Sequence, residues 1–373
     1  MSTHVPFAAC LVLLTSLLGS ATHARPPAPD PAAVAMIQEL GLREGPVASR
    51  DLPGWSAAPR VLVLRADAER LESLRRAAPA AAIVAASQDP AGLAKQLATA
   101  TAVFGACDPA LLAAPRLHWF QSYPVGVERC VAVPGLAERG LLLTNSQRTS
   151  GPPIAEHAIA MMMSLARGLP QYGRFQQAGE WNREGFGRAR ELKGRTLLVV
   201  GLGGIGTEVA WRGHALGMRV IATRNSSREG PDYVARVGLP DELLALAAEA
   251  DVVVNAAPIT PATTGIFDAR FFAAMKPGGY FINIARGRSV VQDDLVAALR
   301  SGQLGGAGLD VTDPEPLPSG HPLWAMDNVI ITPHIAGDSD REDARLWLLV
   351  TENLRRYAAG EPLLNVVDIA RGY

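Results

Sequence analysis

Thr196-Leu-Leu-Val-Val-Gly201-Leu-Gly203-Gly204-Ile205-Gly206 is the stretch that decides the fold. Thr196 to Val200 reads as a short buried strand, and Thr207 to Leu216 reads as a helix. Three glycines in a G-x-G-x-x-G arrangement mean little alone. Set between a strand and a helix, they point to a dinucleotide-binding turn. Gly201 permits the tight turn, Gly203 lets a diphosphate approach the backbone, and Gly206 lets the helix pack on the strand. Gly204 and Ile205 lie in the turn, and the first N–H groups of the helix that follows are left for phosphate oxygens.

Working outward, the run Arg219–Ala222 predicts the next strand, and Arg224 follows it, 18 residues beyond Gly206. An acid about there would hold the adenosine ribose diol and repel a 2′-phosphate. Positions 218–228 contain no acid; Arg224, Asn225, Ser226, Ser227 and Arg228 stand there instead. A guanidinium flanked by hydroxyls suits a phosphate, so NADP is the expected cofactor and NAD the alternative. Apolar runs at 251–255, 280–284, 308–311 and 329–332 continue the series, with helical stretches between most of them. They predict a doubly wound unit over 151–334.

Upstream, Val61-Leu-Val-Leu and the runs at 82–86, 101–105 and 117–120 repeat the pattern, with a helix expected over 68–78. This is a second parallel α/β unit, 58–150. Gly151-Pro-Pro breaks the chain between the units. A long apolar helix follows over 154–167, and its Met161-Met-Met run reads as core packing. An amphipathic helix over 344–359 is expected to return to the first unit, so that 335–373 completes it. The fold class is therefore α/β: two doubly wound parallel-sheet domains, a Rossmann cofactor domain inserted into a flavodoxin-like substrate domain.

The chain has 373 residues, 48% apolar and 19% charged, which suits two folded domains and excludes extended disorder. A net charge of −1 gives no reason to expect nucleic acid, and no apolar run has the ~20 residues of a membrane span. Cys10, Cys107 and Cys130 are too few for a disulfide framework or a zinc site, and no metal is expected. They read as small buried side chains; a Cys107–Cys130 disulfide would belong only to an oxidising compartment. The apolar run 7–18, then Thr22 and Ala24 at signal-peptidase spacing, reads as a signal peptide over 1–24. It implies a periplasmic or secreted protein, with 25–57 as a Pro-rich linker and ordered sequence from near Pro59. Residues 1–24 hold no Lys or Arg, which leaves the alternative of a cytoplasmic protein starting at Met36.

Three late segments carry chemistry. Tyr280-Phe-Ile-Asn-Ile284-Ala-Arg286-Gly287 ends an apolar run with a cation able to take a carboxylate bidentately. Gly308-Leu-Asp310-Val is followed by Thr312-Asp-Pro-Glu315-Pro, a loop fixed by prolines. Val329-Ile-Ile-Thr-Pro-His334 places an imidazole just past a strand, where open α/β sheets bind ligands. A carboxylate beside His334 would favour its protonated form, as a general acid requires. Each residue alone has a plain structural reading as a surface charge or a buried histidine; the chemistry needs all three to meet.

The strings GLGGIG, NIARG, GLDV, DPEPLP and TPHIAG, in this order, resemble the D-isomer-specific 2-hydroxyacid dehydrogenases of the glyoxylate/hydroxypyruvate reductase kind. The resemblance covers about 60–368 and includes Ile154-Ala-Glu-His157-Ala. It implies hydride transfer between NAD(P)H and the 2-carbon of a small 2-keto or 2-hydroxy acid. It implies Arg286 as the substrate anchor, His334 as proton donor and Glu315 as its partner. Asp310 would meet the nicotinamide carboxamide, and Pro258 and Thr264 would lie over the cofactor. The N-domain loop holding the substrate carboxylate would be Ser122–Val127, with Val125 and Gly126 at its centre. A homodimer is implied, with Trp181 shaping the pocket. Gly204 stands where an Arg is frequent, which removes one diphosphate contact. The alternatives are a non-catalytic dinucleotide-sensing protein and a phosphite- or formate-type dehydrogenase.

Overall fold

The computed structural model describes residues 27–183 and 189–372, in two parallel sheets and one antiparallel ribbon. The chain runs β1 (Glu44–Ala48), β2 (Arg60–Val63), β3 (Ala82–Ala85), β4 (Ala102–Gly105), β5 (Trp119–Ser122) and β6 (Leu142–Thr144). After the helices Gly151–Arg167 and Leu169–Ala178 come β7 (Thr196–Val200), β8 (Arg219–Thr223), β9 (Val234–Gly238) and β10 (Val252–Asn255). Then follow β11 (Gly279–Asn283), β12 (Leu304–Leu309), β13 (Val329–Ile331), the helix Glu342–Ala359 and β14 (Pro362–Leu364).

The smaller sheet has the order β3-β2-β4-β5-β6, the flavodoxin-like arrangement. The larger has β13-β12-β11-β10-β7-β8-β9, the Rossmann arrangement with one further strand. Both sheets agree with the fold class expected from the sequence. Every residue of β7, β10 and β11 is buried, which is why these strands read as continuous apolar runs rather than alternating ones. The helix Gly151–Arg167 lies on this sheet. A Cβ at Gly308 of β12 would come within 2.9 Å of the Met161 side chain, so helix and strand are in direct contact. Met161 and Met162 are buried, as core packing requires.

The helix Glu342–Ala359 brings the chain back to the smaller sheet. Its Val350, Leu354 and Tyr357 share a core with Val61, Val63, Phe104 and Trp119. Buried Asn353 donates to the Gln121 side chain on β5 at 2.9 Å and accepts from the Leu364 N–H at 2.8 Å.

The segment read as a linker, 25–57, is folded from Pro31 onward. Pro31–Leu40 is a helix capped by Asp30, which accepts from the Ala32 N–H at 2.7 Å, and closed by Gly41 at φ 59°. Met36, Leu40 and Leu42 pack on Leu349 and Leu364, and β1 pairs antiparallel with β14. The prolines and polar residues here are cap and turn residues of a docked element, not spacers. Two further strands are not marked as apolar runs in the sequence: β6 has three residues, and β9 is a half-exposed edge strand carrying Arg236. Cys107 and Cys130 are not merely buried; they form a disulfide with Cα atoms 5.1 Å apart. The expected signal segment, 1–24, lies outside the described residues. Among the described residues no helix is long and apolar enough to cross a membrane.

Candidate active site

The chemistry-bearing residues gather where β11, β12 and β13 end. A buried polar relay fixes the first of them. The Asn255 amide donates to Asn283 Oδ1 at 3.0 Å and to Ser289 Oγ at 2.9 Å. Asn283 Nδ2 and Ser289 Oγ in turn donate to the Arg286 carbonyl at 3.0 and 2.7 Å. Ile284 is buried beside them. A Cβ at Gly287 would collide with the Thr312 carbonyl, so the glycine after Arg286 lets this loop meet the one carrying Glu315.

Glu315 Oε1 accepts from the Thr312 N–H at 3.1 Å, and its Oε2 lies 3.0 Å from His334 Nδ1. A carboxylate can only accept, so Nδ1 carries the hydrogen, and among the described residues Nε2 has no hydrogen-bond partner. His334 sits at φ +57°, a conformation side-chain-bearing residues seldom take. Asp310 holds it there. The His334 N–H donates to the Asp310 carbonyl at 2.8 Å. Asp310 Oδ1 accepts from Thr332 Oγ1 at 2.6 Å and the Ile335 N–H at 3.0 Å, and Oδ2 accepts from the Ala336 N–H at 3.0 Å. Asp310 is buried and thus braces the turn, a task the sequence did not suggest. His157, on the helix Gly151–Arg167, adds a 2.9 Å contact from Nε2 to Thr332 Oγ1.

Arg286 joins the other sheet rather than the His–Glu pair. Its Nε lies 3.0 Å from Glu128 Oε1, and a Cβ at Gly126 would collide with its Nη2. Only glycine at 126 admits the guanidinium so close to the loop Ser122–Val127. Val125 accepts from the Asn145 amide at 2.7 Å, which pins the same loop. The cation read as a carboxylate receptor is thus held by a carboxylate of the protein itself. Glu128 was missed because an acid in the first turn of a helix, here Glu128–Val131, has a sufficient local explanation. Nearby Tyr123 donates to the Leu64 carbonyl at 2.8 Å, and burial raises its pKa, so it stays a neutral wall of the loop.

The glycine turn fits a dinucleotide. Gly201 has φ +93°, and a Cβ on it would lie 2.7 Å from Ala257 Cα. A Cβ on Gly206 would collide with the Gly201 carbonyl, whereas one on Gly203 would meet nothing, which leaves open room for a diphosphate. The helix Gly204–Ala215 begins there, with Ile205 packed on the core. Arg224 follows β8 and donates to the Glu229 carbonyl at 3.0 Å, with Asn225 and Ser226 exposed beyond it. The loop from Pro258 to Thr264 is closed by Thr263 Oγ1 donating to the Pro258 carbonyl at 2.7 Å and Thr264 Oγ1 to the Thr260 carbonyl at 2.9 Å. Trp181 is 94% exposed, far from any packed role.

Residues 159–336 match the family described as D-isomer specific 2-hydroxyacid dehydrogenase, NAD binding domain. The chain is 35% identical over 261 residues to human glyoxylate reductase/hydroxypyruvate reductase, covering 67% of this chain and 77% of that one. It is 35% identical over 246 residues, 66% of its own length, to D-3-phosphoglycerate dehydrogenase of Archaeoglobus fulgidus, of which it spans only 46%. It spans about half the length of several curated relatives of that kind. Among solved structures, the NADPH-dependent glyoxylate/hydroxypyruvate reductase of Sinorhizobium meliloti, in complex with NADP and sulfate, superposes with a TM-score of 0.72 at 30% identity. That match covers 85% of this chain and 100% of the other.

Proposed function

Because the chain belongs to the D-isomer specific 2-hydroxyacid dehydrogenase family, we propose that it interconverts a small 2-keto acid and the corresponding 2-hydroxy acid, of the glyoxylate or hydroxypyruvate type, with NADP as preferred cofactor. The observation that carries this reading is the 3.0 Å His334–Glu315 pair on a turn braced by Asp310. A bound nicotinamide would supply or accept the hydride. Gly201 to Gly206 would hold its diphosphate, Arg224 and Ser226 its 2′-phosphate, and Pro258, Thr264 and Asp310 would border the nicotinamide end. Arg286 and the N–H groups about Val125 and Gly126 would take the substrate carboxylate, which must displace Glu128 from the guanidinium. His334 would deliver its Nε2 proton to the oxygen on which negative charge grows, and Glu315 would offset the charge on the ring.

The test is a panel of 2-keto acids, with phosphite and formate as controls, against NADPH and NADH. Glyoxylate- or hydroxypyruvate-dependent oxidation of NADPH is expected. Binding without any turnover would instead favour a dinucleotide sensor.

Two further readings go with this one. The buried Cys107–Cys130 bond supports an exported protein, since such bonds persist in oxidising compartments. N-terminal sequencing of the native chain should find it cut after residue 24; a chain starting at Met36 would overturn export. The exposed Trp181, beside Tyr172 and Phe175, supports a homodimer through the helix Leu169–Ala178. Light scattering should give twice the chain mass, and Trp181→Glu should lower it; a monomeric wild type would refute the dimer.

A further inference from the structure

The glycine turn has a visitor. Arg148 lies in the loop between β6 and the helix Gly151–Arg167, and its side chain crosses the start of the helix Gly204–Ala215. A Cβ at Gly204 would lie 2.7 Å from Arg148 Cγ, so the stem of Arg148 fills the space a side chain at 204 would use. The loop that carries it is fixed. Its Gln147 carbonyl accepts from the Asn365 amide at 2.8 Å, and the Asn145 N–H donates to the Asn365 carbonyl at 3.2 Å.

The guanidinium is poorly balanced where it stands. Among the described residues it makes no ion pair, and its hydrogen bond is a long one, 3.4 Å from Nη1 to the Leu40 carbonyl. Partial burial, then the nearby charges of Arg43 and Arg224, push its pKa below the usual arginine value. Glu208 pulls the other way, but its carboxylate is committed to Arg212. A partly desolvated cation beside two like charges is unfavourable unless an anion completes the group. The open turn at Gly203, at the N-terminus of the helix Gly204–Ala215, adjoins Gly204, over which the Arg148 stem passes.

We propose that Arg148 holds the cofactor diphosphate, reaching over Gly204 from a neighbouring segment and supplying the charge that the turn itself lacks. This rests on the dinucleotide reading of the glycine turn. It divides the labour among the arginines: Arg148 serves the diphosphate shared by both nicotinamide cofactors, and Arg224 serves the 2′-phosphate. It also assigns Gly204 a purpose, because a side chain there would displace Arg148.

Calorimetric dissociation constants for NADPH, NADH and ADP-ribose on the full chain test the proposal. Arg148→Met keeps the stem and removes the charge. It should weaken all three ligands by a common factor of about 10 to 100, the scale of a lost charge-assisted hydrogen bond. Arg148→Lys should restore part of the loss. Gly204→Ala should cost affinity in the wild type and little in the Arg148→Met background. Affinities unchanged in Arg148→Met, a loss confined to NADPH, or a Gly204→Ala penalty equal in both backgrounds would each overturn the assignment. So would a lowered melting temperature with unchanged affinities, which would make Arg148 only a tie to Leu40. A wild type that binds none of the three ligands would sink the dinucleotide reading and this assignment with it. A wild type preferring NADH would sink only the cofactor preference.

Discussion

The two ends of the crevice are built on opposite principles. At the ends of β11, β12 and β13, His334 and Arg286 are held by hydrogen-bonded neighbours. Glu315 steadies His334, Asp310 steadies the turn beneath it, and Asn255, Asn283 and Ser289 steady the Arg286 backbone. At the adenosine end, beyond β7 and β8, Arg148 and Arg224 form no ion pair among the described residues and rest on single carbonyls. Preorganisation is concentrated at the end where the proposed reaction would move a proton along one line. Where binding alone is needed, charge is left unbalanced for the ligand to complete.

Breaking the braced end should have the largest effect. His334→Ala should lower kcat by about 10²- to 10⁴-fold, the usual worth of a general acid, and leave the NADPH dissociation constant unchanged. Steady-state rates alongside fluorescence titration check this; survival of turnover would remove His334 from the chemistry. Asp310→Ala should be next. It strands two backbone N–H groups and the Thr332 hydroxyl, at a cost of about 2–4 kcal/mol in unfolding free energy together with a fall in kcat. Denaturant melts measure the first part.

The unbalanced end is sharpened by Arg224→Ala. It should weaken NADPH by roughly 10-fold or more and leave NADH nearly untouched. The smallest effect is expected at the seam between the sheets. The Arg286–Glu128 pair is about one-third exposed on each side, so it is worth at most ~1 kcal/mol. Glu128→Gln should therefore lower KM for the keto acid by no more than about five-fold, because the substrate carboxylate no longer has to displace a like charge. An unchanged KM would show that the pair opens freely before substrate arrives.

The parts legible in the sequence were those with a local cause. The glycine turn, the buried apolar strands and the His334 turn each declare themselves within about ten residues, because period, glycine spacing and strand ends are short-range facts. The hidden parts depend on partners far along the chain. Glu128 explains itself as a helix-start acid until Arg286, far along the chain, is seen beside it. Arg148 is one of many arginines until Gly204 is seen beneath it. The helix Pro31–Leu40 carried its own signals, an Asp cap, a first-turn proline and a closing glycine, but they were obscured by the proline-rich composition around them. Cys107 and Cys130 show the same limit: pairing depends on where the segment after β4 meets the helix Glu128–Val131, not on either cysteine alone.

That bond has a practical side. It closes a stretch spanning 23 positions that contains the whole of β5 and the loop Ser122–Val127. By chain-entropy reasoning such a cross-link is worth ~3 kcal/mol. A thiol reductant in a storage or assay buffer would therefore reach past overall stability to the loop that faces Arg286. Kinetic constants collected with and without it would describe two different receptors, and the redox history of a sample becomes part of the definition of its activity.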